Sequence, residues 1–63
     1  MTQPNRPAPR FRDGALVWTP ADWKGRVLGV PTWQDGEWMY LVQRHGTGSR
    51  LRYAEHELTE AGR

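Results

Sequence analysis

Short apolar runs separated by glycine and proline are the feature that most constrains what this chain can fold into. Four runs of four to eight residues stand between turn signals, at 15–19, 26–30, 37–44 and 50–53. They are rich in Val, Trp, Tyr and Leu, which favour strands. A helical period fits only 54–58, which is long enough for one turn, and 59–61 can form a last short strand. The pattern predicts an all-β fold of five short antiparallel strands.

Glycine and proline also predict where the chain turns and bends. Asp35-Gly36 is a strong tight-turn dipeptide between the second and third runs. Gly29 lies inside the second run, where it predicts a bulge or sharp bend that lets a short sheet curl. Pro31 follows and predicts that the second strand stops there, at an edge of the sheet. We therefore expect a small, strongly bent antiparallel barrel.

The chain divides into a tail and one domain. Residues 1–10 contain Pro4, Pro7 and Pro9 and no aliphatic side chain larger than alanine after Met1. Such a segment cannot offset its ordering entropy, which predicts a flexible, disordered arm over 1–10 and a barrel over 11–63. The arginines of the arm can contact an anionic partner, or the arm has no binding role.

Composition excludes several classes of protein. The chain has 63 residues and no cysteine, which rules out disulfides and thiolate metal sites and is consistent with a reducing cytoplasm. Its two histidines are too few for a histidine metal cluster, and it has no long apolar run for a membrane span. We predict a cytoplasmic protein that binds no metal and no membrane. The net charge of +2 permits nucleic-acid binding without indicating it.

Strand alternation predicts two apolar faces. If Val17, Tyr40 and Val42 face the interior, large apolar side chains also occupy the opposite face, where one-core barrels carry polar residues. These outward residues are Leu16, Trp18, Met39 and Leu41. The pattern favours a homo-oligomer, a dimer or tetramer, that buries this face. The alternative is that a bulge shifts the register or that loops cover these side chains.

Aromatic and arginine residues suggest a surface for a ligand or partner. The candidates are Trp33, Arg44, Arg50, Arg52 and Tyr53, with Trp33 expected in the loop after the second strand. Indole rings with nearby guanidinium groups suit a protein or nucleic-acid partner. The alternative is that Tyr53 belongs to the core and that the arginines are solvated.

The sequence offers little support for catalysis. The acidic residues fall at turns or in the last helical turn, and HGTGS (45–49) is better explained as a hairpin turn than as a phosphate loop. No nucleophile is accompanied by a base and an orienting group. We therefore predict no catalytic residue and no cofactor.

Four segments resemble the SH3-like small β-barrels, a group that includes KOW and Tudor modules and the type II dihydrofolate reductases. The matching segments are FRDGALVWTP, WKGRVLGV, WMYLVQ and RLRYAEHELTEA, and the likeness spans about residues 11–61. The resemblance implies a five-stranded SH3-like antiparallel barrel with a short 3-10 turn before the last strand. This barrel hosts many unrelated functions, so the likeness bears on fold more than on activity.

Within that group, WKGRVLG and GSRLRY are most similar to the type II dihydrofolate reductases. That likeness implies a tetramer whose pore, lined here by Arg50, Leu51, Arg52 and Tyr53, binds NADPH and dihydrofolate. Of the family's Val-Gln-Ile-Tyr motif only Tyr53 matches, and Thr19 stands near the position of the family's pore lysine. We predict a non-enzymatic binding and assembly module, with an NADPH-dependent reductase as the alternative.

Overall fold

Five strands form one antiparallel sheet. The computed structural model describes residues 6–62, so the predicted arm residues 1–5 and the last residue lie outside the described residues. The elements are β1 (Leu16–Trp18), β2 (Lys24–Gln34), β3 (Glu37–Arg44), β4 (Arg50–Ala54), a 3-10 turn (Glu55–Glu57) and β5 (Thr59–Glu60). The order across the sheet is β4-β3-β2-β1-β5. The predicted all-β class, five antiparallel strands and 3-10 turn before the last strand are confirmed.

The predicted tight turn joins β2 to β3. Asp35 and Gly36 both have positive φ, 52° and 82°, and Gln34 pairs with Glu37 directly across the turn. Positive φ at both central residues is the requirement of a type I′ turn, whose twist matches that of the flanking strands. The dipeptide therefore sets the register at the tip of this hairpin.

The predicted end of the second strand at Pro31 is wrong. β2 runs for 11 residues, past Pro31 to Gln34. Leu28 pairs with Leu41 and Thr32 pairs with Met39, so residues 29–31 bulge opposite a single residue of β3. Pro31 is tolerated because a bulged residue does not need a ladder N–H.

Gly29 confirms the prediction of a bulge inside the second strand. Its φ of +72° is a left-handed conformation that favours glycine, and its amide donates to Asp13 Oδ1 at 2.8 Å. The bulge also corrects the predicted position of Trp33, which lies within β2 rather than in a loop. β2 resumes pairing after the bulge, so Trp33 is held opposite Trp38.

The core lies on one face of the sheet. Its buried side chains are Phe11, Val17, Val27, Tyr40, Val42 and Leu58. Trp23, Trp38 and Tyr53 are half-buried and pack against this cluster. Val17, Tyr40 and Val42 face inward as the alternation predicts, and Leu51 shares the face of Tyr53. Leu51 is nevertheless 53% exposed, because β4 is an edge strand.

A hydrogen-bond network ties the segment before β1 to the 3-10 turn. The Tyr40 hydroxyl donates to the Glu55 carboxylate and accepts the Phe11 amide at 3.3 Å. The same Glu55 oxygen accepts the amide of Arg10 at 2.8 Å. Burial, followed by the hydrogen bond to Glu55, raises the pKa of Tyr40 to about 12. The folded chain therefore holds the hydroxyl proton more tightly than a free tyrosine does.

Candidate functional site

The five residues predicted for a ligand surface do not form one site. They are Trp33, Arg44, Arg50, Arg52 and Tyr53. Trp33 lies at the tip of the β2–β3 hairpin, whereas Arg44 ends β3 at the opposite end of that strand. Arg50 and Arg52 are exposed on β4, and Tyr53 turns toward the core. The structure therefore presents three separate surfaces.

One surface is a stack of two aromatic rings and a guanidinium group. The Trp23 and Tyr53 rings meet edge to face with centroids 6.0 Å apart. The Arg44 guanidinium lies 5.2 Å from the Trp23 centroid. Both rings pack against the core, so this stack covers one end of the core and leaves its cation in solvent.

The second surface is a cleft beside the hairpin tip, which we call the indole cleft. It is lined by Pro7, Trp33, Gly36, Glu37, Trp38, Glu55 and His56 and has a volume of about 310 Å³. The Trp33 and Trp38 rings meet edge to face with centroids 5.1 Å apart. The size is at the lower end of ordinary ligand pockets.

The N-terminal segment forms one wall of the indole cleft. Trp38 Nε1 donates to the carbonyl oxygen of Pro7 at 2.7 Å. The guanidinium carbon of Arg6 lies 5.9 Å from the Trp33 centroid and 5.7 Å from the Trp38 centroid. Both distances are within the range of a cation–π contact. Residues 6–10 are otherwise exposed and have no regular secondary structure.

Acidic side chains border the indole cleft. Glu37 Oε1 lies 3.0 Å from His56 Nδ1, a salt bridge when His56 is protonated. Glu55 is also part of the lining, and one of its oxygens holds the Arg10 amide. Two carboxylates beside two indoles make this cleft favourable for a cation.

The third surface is the side of the sheet away from the core, which we call the outer face. The predicted interface residues all lie on it, namely Leu16, Trp18, Met39 and Leu41. Leu28 joins them, because it pairs with Leu41 across the β2–β3 ladder. Trp18 is 42% exposed and the four aliphatic side chains are half-buried. The predicted second apolar face is thus present on the side of the sheet away from the core.

Cations lie among the apolar residues of the outer face. Arg26 pairs with both Leu16 and Gln43, and Arg52 pairs with Leu41. The Lys24 ammonium lies 5.5 Å from the Trp18 centroid. Arg50 occupies the neighbouring outer position on β4. The outer face therefore carries positively charged side chains interleaved with its apolar ones.

The indole cleft was missed by sequence reasoning, although part of it was predictable. A two-residue turn at Asp35-Gly36 places Trp33 and Trp38 opposite each other by counting back from the turn. Assigning Trp33 to a loop concealed that pairing. No local pattern predicts that Arg6 and Pro7 reach Trp38, a contact across 31 residues of chain.

Residues 6–62 contain no group of three or more side chains arranged to hold a metal ion. In the same part of the chain, no helix has the length and apolarity needed to cross a membrane. Comparison with protein-family models, curated proteins and solved structures found no match to this chain.

Proposed function

We propose that this chain is a non-enzymatic SH3-like barrel that works as a cytoplasmic assembly and binding module. It self-associates through the outer face as a dimer or tetramer and carries a separate surface for a protein or nucleic-acid partner. The observation that carries the proposal is the outer face itself, where four half-buried apolar side chains, Leu16, Leu28, Met39 and Leu41, share one side of the sheet with the exposed ring of Trp18.

The connection between β4 and β5 supports closure of the sheet into a barrel. These strands are the two edges of the five-stranded sheet, yet only residues 55–58 connect them. In a flat sheet, four strand spacings would separate the edges by about 19 Å. The five Cα–Cα steps from Ala54 to Thr59 span at most about 18 Å when fully extended, and the 3-10 turn shortens that reach. The edges can be joined this way only if the sheet curls.

The size of the domain supports self-association. A chain of 63 residues without cysteine buries a limited core, and small domains of this kind commonly gain stability from oligomerisation. Burying one leucine-sized side chain contributes about 1.5–3 kcal/mol. Burying the outer face would therefore add a stabilising free energy comparable with the whole free energy of unfolding of such a domain.

Leu41→Lys is expected to weaken self-association by at least about 100-fold, measured by sedimentation equilibrium. Each copy in a symmetric dimer loses about 1.5 kcal/mol of the free energy gained by burying Leu41, so two copies together lose about 3 kcal/mol of association free energy. The matched control is Leu51→Lys, the same substitution on the opposite face of the sheet, which should leave the association constant unchanged. A wild-type chain that remains a folded monomer at high micromolar concentration would refute the proposal.

Salt distinguishes self-association from nucleic-acid binding at the outer face. Two copies bring like-charged outer faces together, so higher salt should strengthen the oligomer by screening their repulsion. Binding of a nucleic acid to Arg50 and Arg52 should instead weaken as salt rises, because counterions are released.

A reductase related to the type II dihydrofolate reductases is the second candidate. The observation in its favour is that Arg50 and Arg52 are both exposed on one face of β4, where four copies would concentrate positive charge. NADPH oxidation with dihydrofolate tests it directly. If purified protein shows no turnover and does not bind NADPH, this candidate is discarded.

A further inference from the structure

Strand β4 presents an open edge of the sheet. Among residues 6–62 it pairs with β3 alone, and it is the last strand on its side of the sheet. Its first three residues, Arg50, Leu51 and Arg52, are all exposed. The unpaired N–H and C=O groups of an edge strand are a template for one further strand.

The hydrogen-bond pattern shows which main-chain groups of β4 face this edge. Arg44 donates its amide to the carbonyl oxygen of Ser49, immediately before β4. Bonded and non-bonded pairs alternate along an antiparallel ladder, so Leu51 is the next residue that bonds to β3. The main-chain groups of Arg50 and Arg52 therefore point away from β3, toward the open edge.

A side chain closes the far end of the same edge. Ala54 is the next residue whose amide points away from β3, and that amide donates to Glu57 Oε1 at 2.9 Å. Within residues 6–62, no other side chain bonds to the amide or carbonyl of Arg50 or Arg52 in this way. The open part of the edge is therefore two hydrogen-bonding residues long.

The side chains of the open edge favour an acidic partner. Arg50 and Arg52 both lie on the outer face, and neither forms a salt bridge with any group of residues 6–62. Leu51 lies between them on the other face, where it is exposed. A strand added antiparallel to β4 would place one residue opposite each arginine and one residue opposite the leucine. Two acidic residues that flank one apolar residue match this arrangement.

We propose that the open edge of β4 binds an extended segment of a partner protein in which one apolar residue stands between two acidic residues. The segment extends the sheet by one antiparallel strand. Its main chain bonds to Arg50 and Arg52, its carboxylates pair with their guanidinium groups, and its apolar side chain covers Leu51. This inference rests on the partner-binding part of the proposed function and names the partner's chemistry.

Charge disfavours a second copy of β4 as the occupant. An antiparallel pair of β4 strands centred on Leu51 would bring the Arg50 and Arg52 guanidinium groups of the two copies directly opposite each other. Like charges directly opposite on one face of a sheet are destabilising. Arginine at both positions therefore opposes edge-to-edge self-association and leaves the edge to an acidic segment.

Calorimetric titration with a capped probe peptide tests the proposal. The probe has a valine between two glutamates and a threonine on each side, and we expect it to bind the wild-type chain. Methylating both glutamate main-chain nitrogens removes the two donors that face β4 and should weaken binding at least about fivefold. Methylating the valine nitrogen, which faces away from β4, is the matched control and should change binding less than about twofold.

Charge reversal tests the two arginines. Arg52→Glu should weaken binding of the probe at least about tenfold. Arg12→Glu makes the same change in net charge in the segment before β1 and should weaken binding less than about threefold. The double variant Arg50→Glu/Arg52→Glu should instead prefer a probe with lysines in place of its glutamates. Thermal melts check that each variant is folded.

Amide hydrogen exchange of the wild-type chain locates the probe. In the free protein the amides of Arg50 and Arg52 should exchange faster than the amide of Leu51, which bonds to β3. A saturating concentration of the probe should slow the exchange of both arginine amides at least about tenfold. Unchanged exchange at both positions in the saturated complex would contradict binding at this edge.

Three further results would overturn the proposal. The first is a wild-type chain that does not bind the probe at millimolar concentration. The second is binding that methylation of the glutamates weakens no more than methylation of the valine. The third is a single-stranded oligonucleotide that binds in an Arg52-dependent way while the probe does not, which would assign the edge to nucleic acid. Sedimentation without the probe tests the oligomer separately, so a monomer that binds the probe would contradict the outer-face oligomer alone.

Discussion

Gly25→Ala is expected to destabilise the domain by at least about 3 kcal/mol. A Cβ at this position would lie 2.6 Å from Val42 Cγ1 and 2.7 Å from the carbonyl oxygen of Gln43. It would also lie 3.0 Å from the Trp23 ring, so backbone, core and indole block it together. A domain of this length is expected to be stable by only ~3–9 kcal/mol. The substitution should therefore leave the chain largely unfolded or barely stable.

Thermal denaturation followed by circular dichroism measures the effect. A loss of 3 kcal/mol should lower Tm by at least about 12 °C. Gly46→Ala is the control, because its φ is +88° and nothing lies within 4 Å of the added Cβ. It should cost only about 1–2 kcal/mol from the left-handed backbone. If Gly25→Ala melts at the wild-type temperature, β2 and β3 are less tightly packed than described.

Tyr40→Phe should have the second largest effect, a loss of about 1.5–3 kcal/mol in the free energy of unfolding. The change removes a hydroxyl that donates to Glu55 and accepts the Phe11 amide, while the ring keeps its edge-to-face contact with Phe11. The Phe11 amide then loses a buried hydrogen bond, and Glu55 loses a partly buried one while keeping the Arg10 amide. Urea denaturation of the two proteins measures the difference at neutral pH.

Tyr53→Phe is the matched control for Tyr40→Phe. Its ring packs on Trp23, and within residues 6–62 its hydroxyl has no protein hydrogen-bond partner. Its removal should change stability by less than about 0.5 kcal/mol. Equal effects of the two substitutions would contradict the importance of the Tyr40–Glu55 bond.

The same bond predicts how stability depends on pH. The pKa of Tyr40 rises from the usual 10.0 to about 12 in the folded chain, so the folded state holds this proton more tightly than the unfolded state. The resulting stabilisation is complete below pH 10 and declines as pH rises from about 10 to 12. The stability difference between wild type and Tyr40→Phe should therefore shrink over that range. A constant difference would contradict the raised pKa.

The outer face shows how far alternation can be read from sequence. Successive side chains of a strand point to opposite faces, so placing Val17 and Val42 inside places Leu16 and Leu41 outside without further information. The register confirms that assignment on each strand. Tight turns are equally local, because the backbone at Asp35 and Gly36 requires positive φ.

The extension of β2 shows where local reasoning fails. A proline usually ends a strand, and Pro31 indicated such an end. The bulge at residues 29–31 removes the demand for an N–H and lets pairing resume at Thr32. Whether a strand resumes depends on the partner strand, which no single segment reveals.

The sequence alone determined the strand runs, the Asp35-Gly36 turn and the two-faced alternation, because each depends on backbone geometry over a few neighbouring residues. The tertiary structure decided which distant side chains meet. It placed Trp33 opposite Trp38, Arg6 over both rings and the Pro7 carbonyl against the Trp38 indole N–H. Arg50 and Arg52 lie away from that site. Those outcomes depend on strand register and on contacts between residues far apart in the chain. The free energy of the whole folded arrangement decides which of these contacts form, and the local conformation of one segment does not.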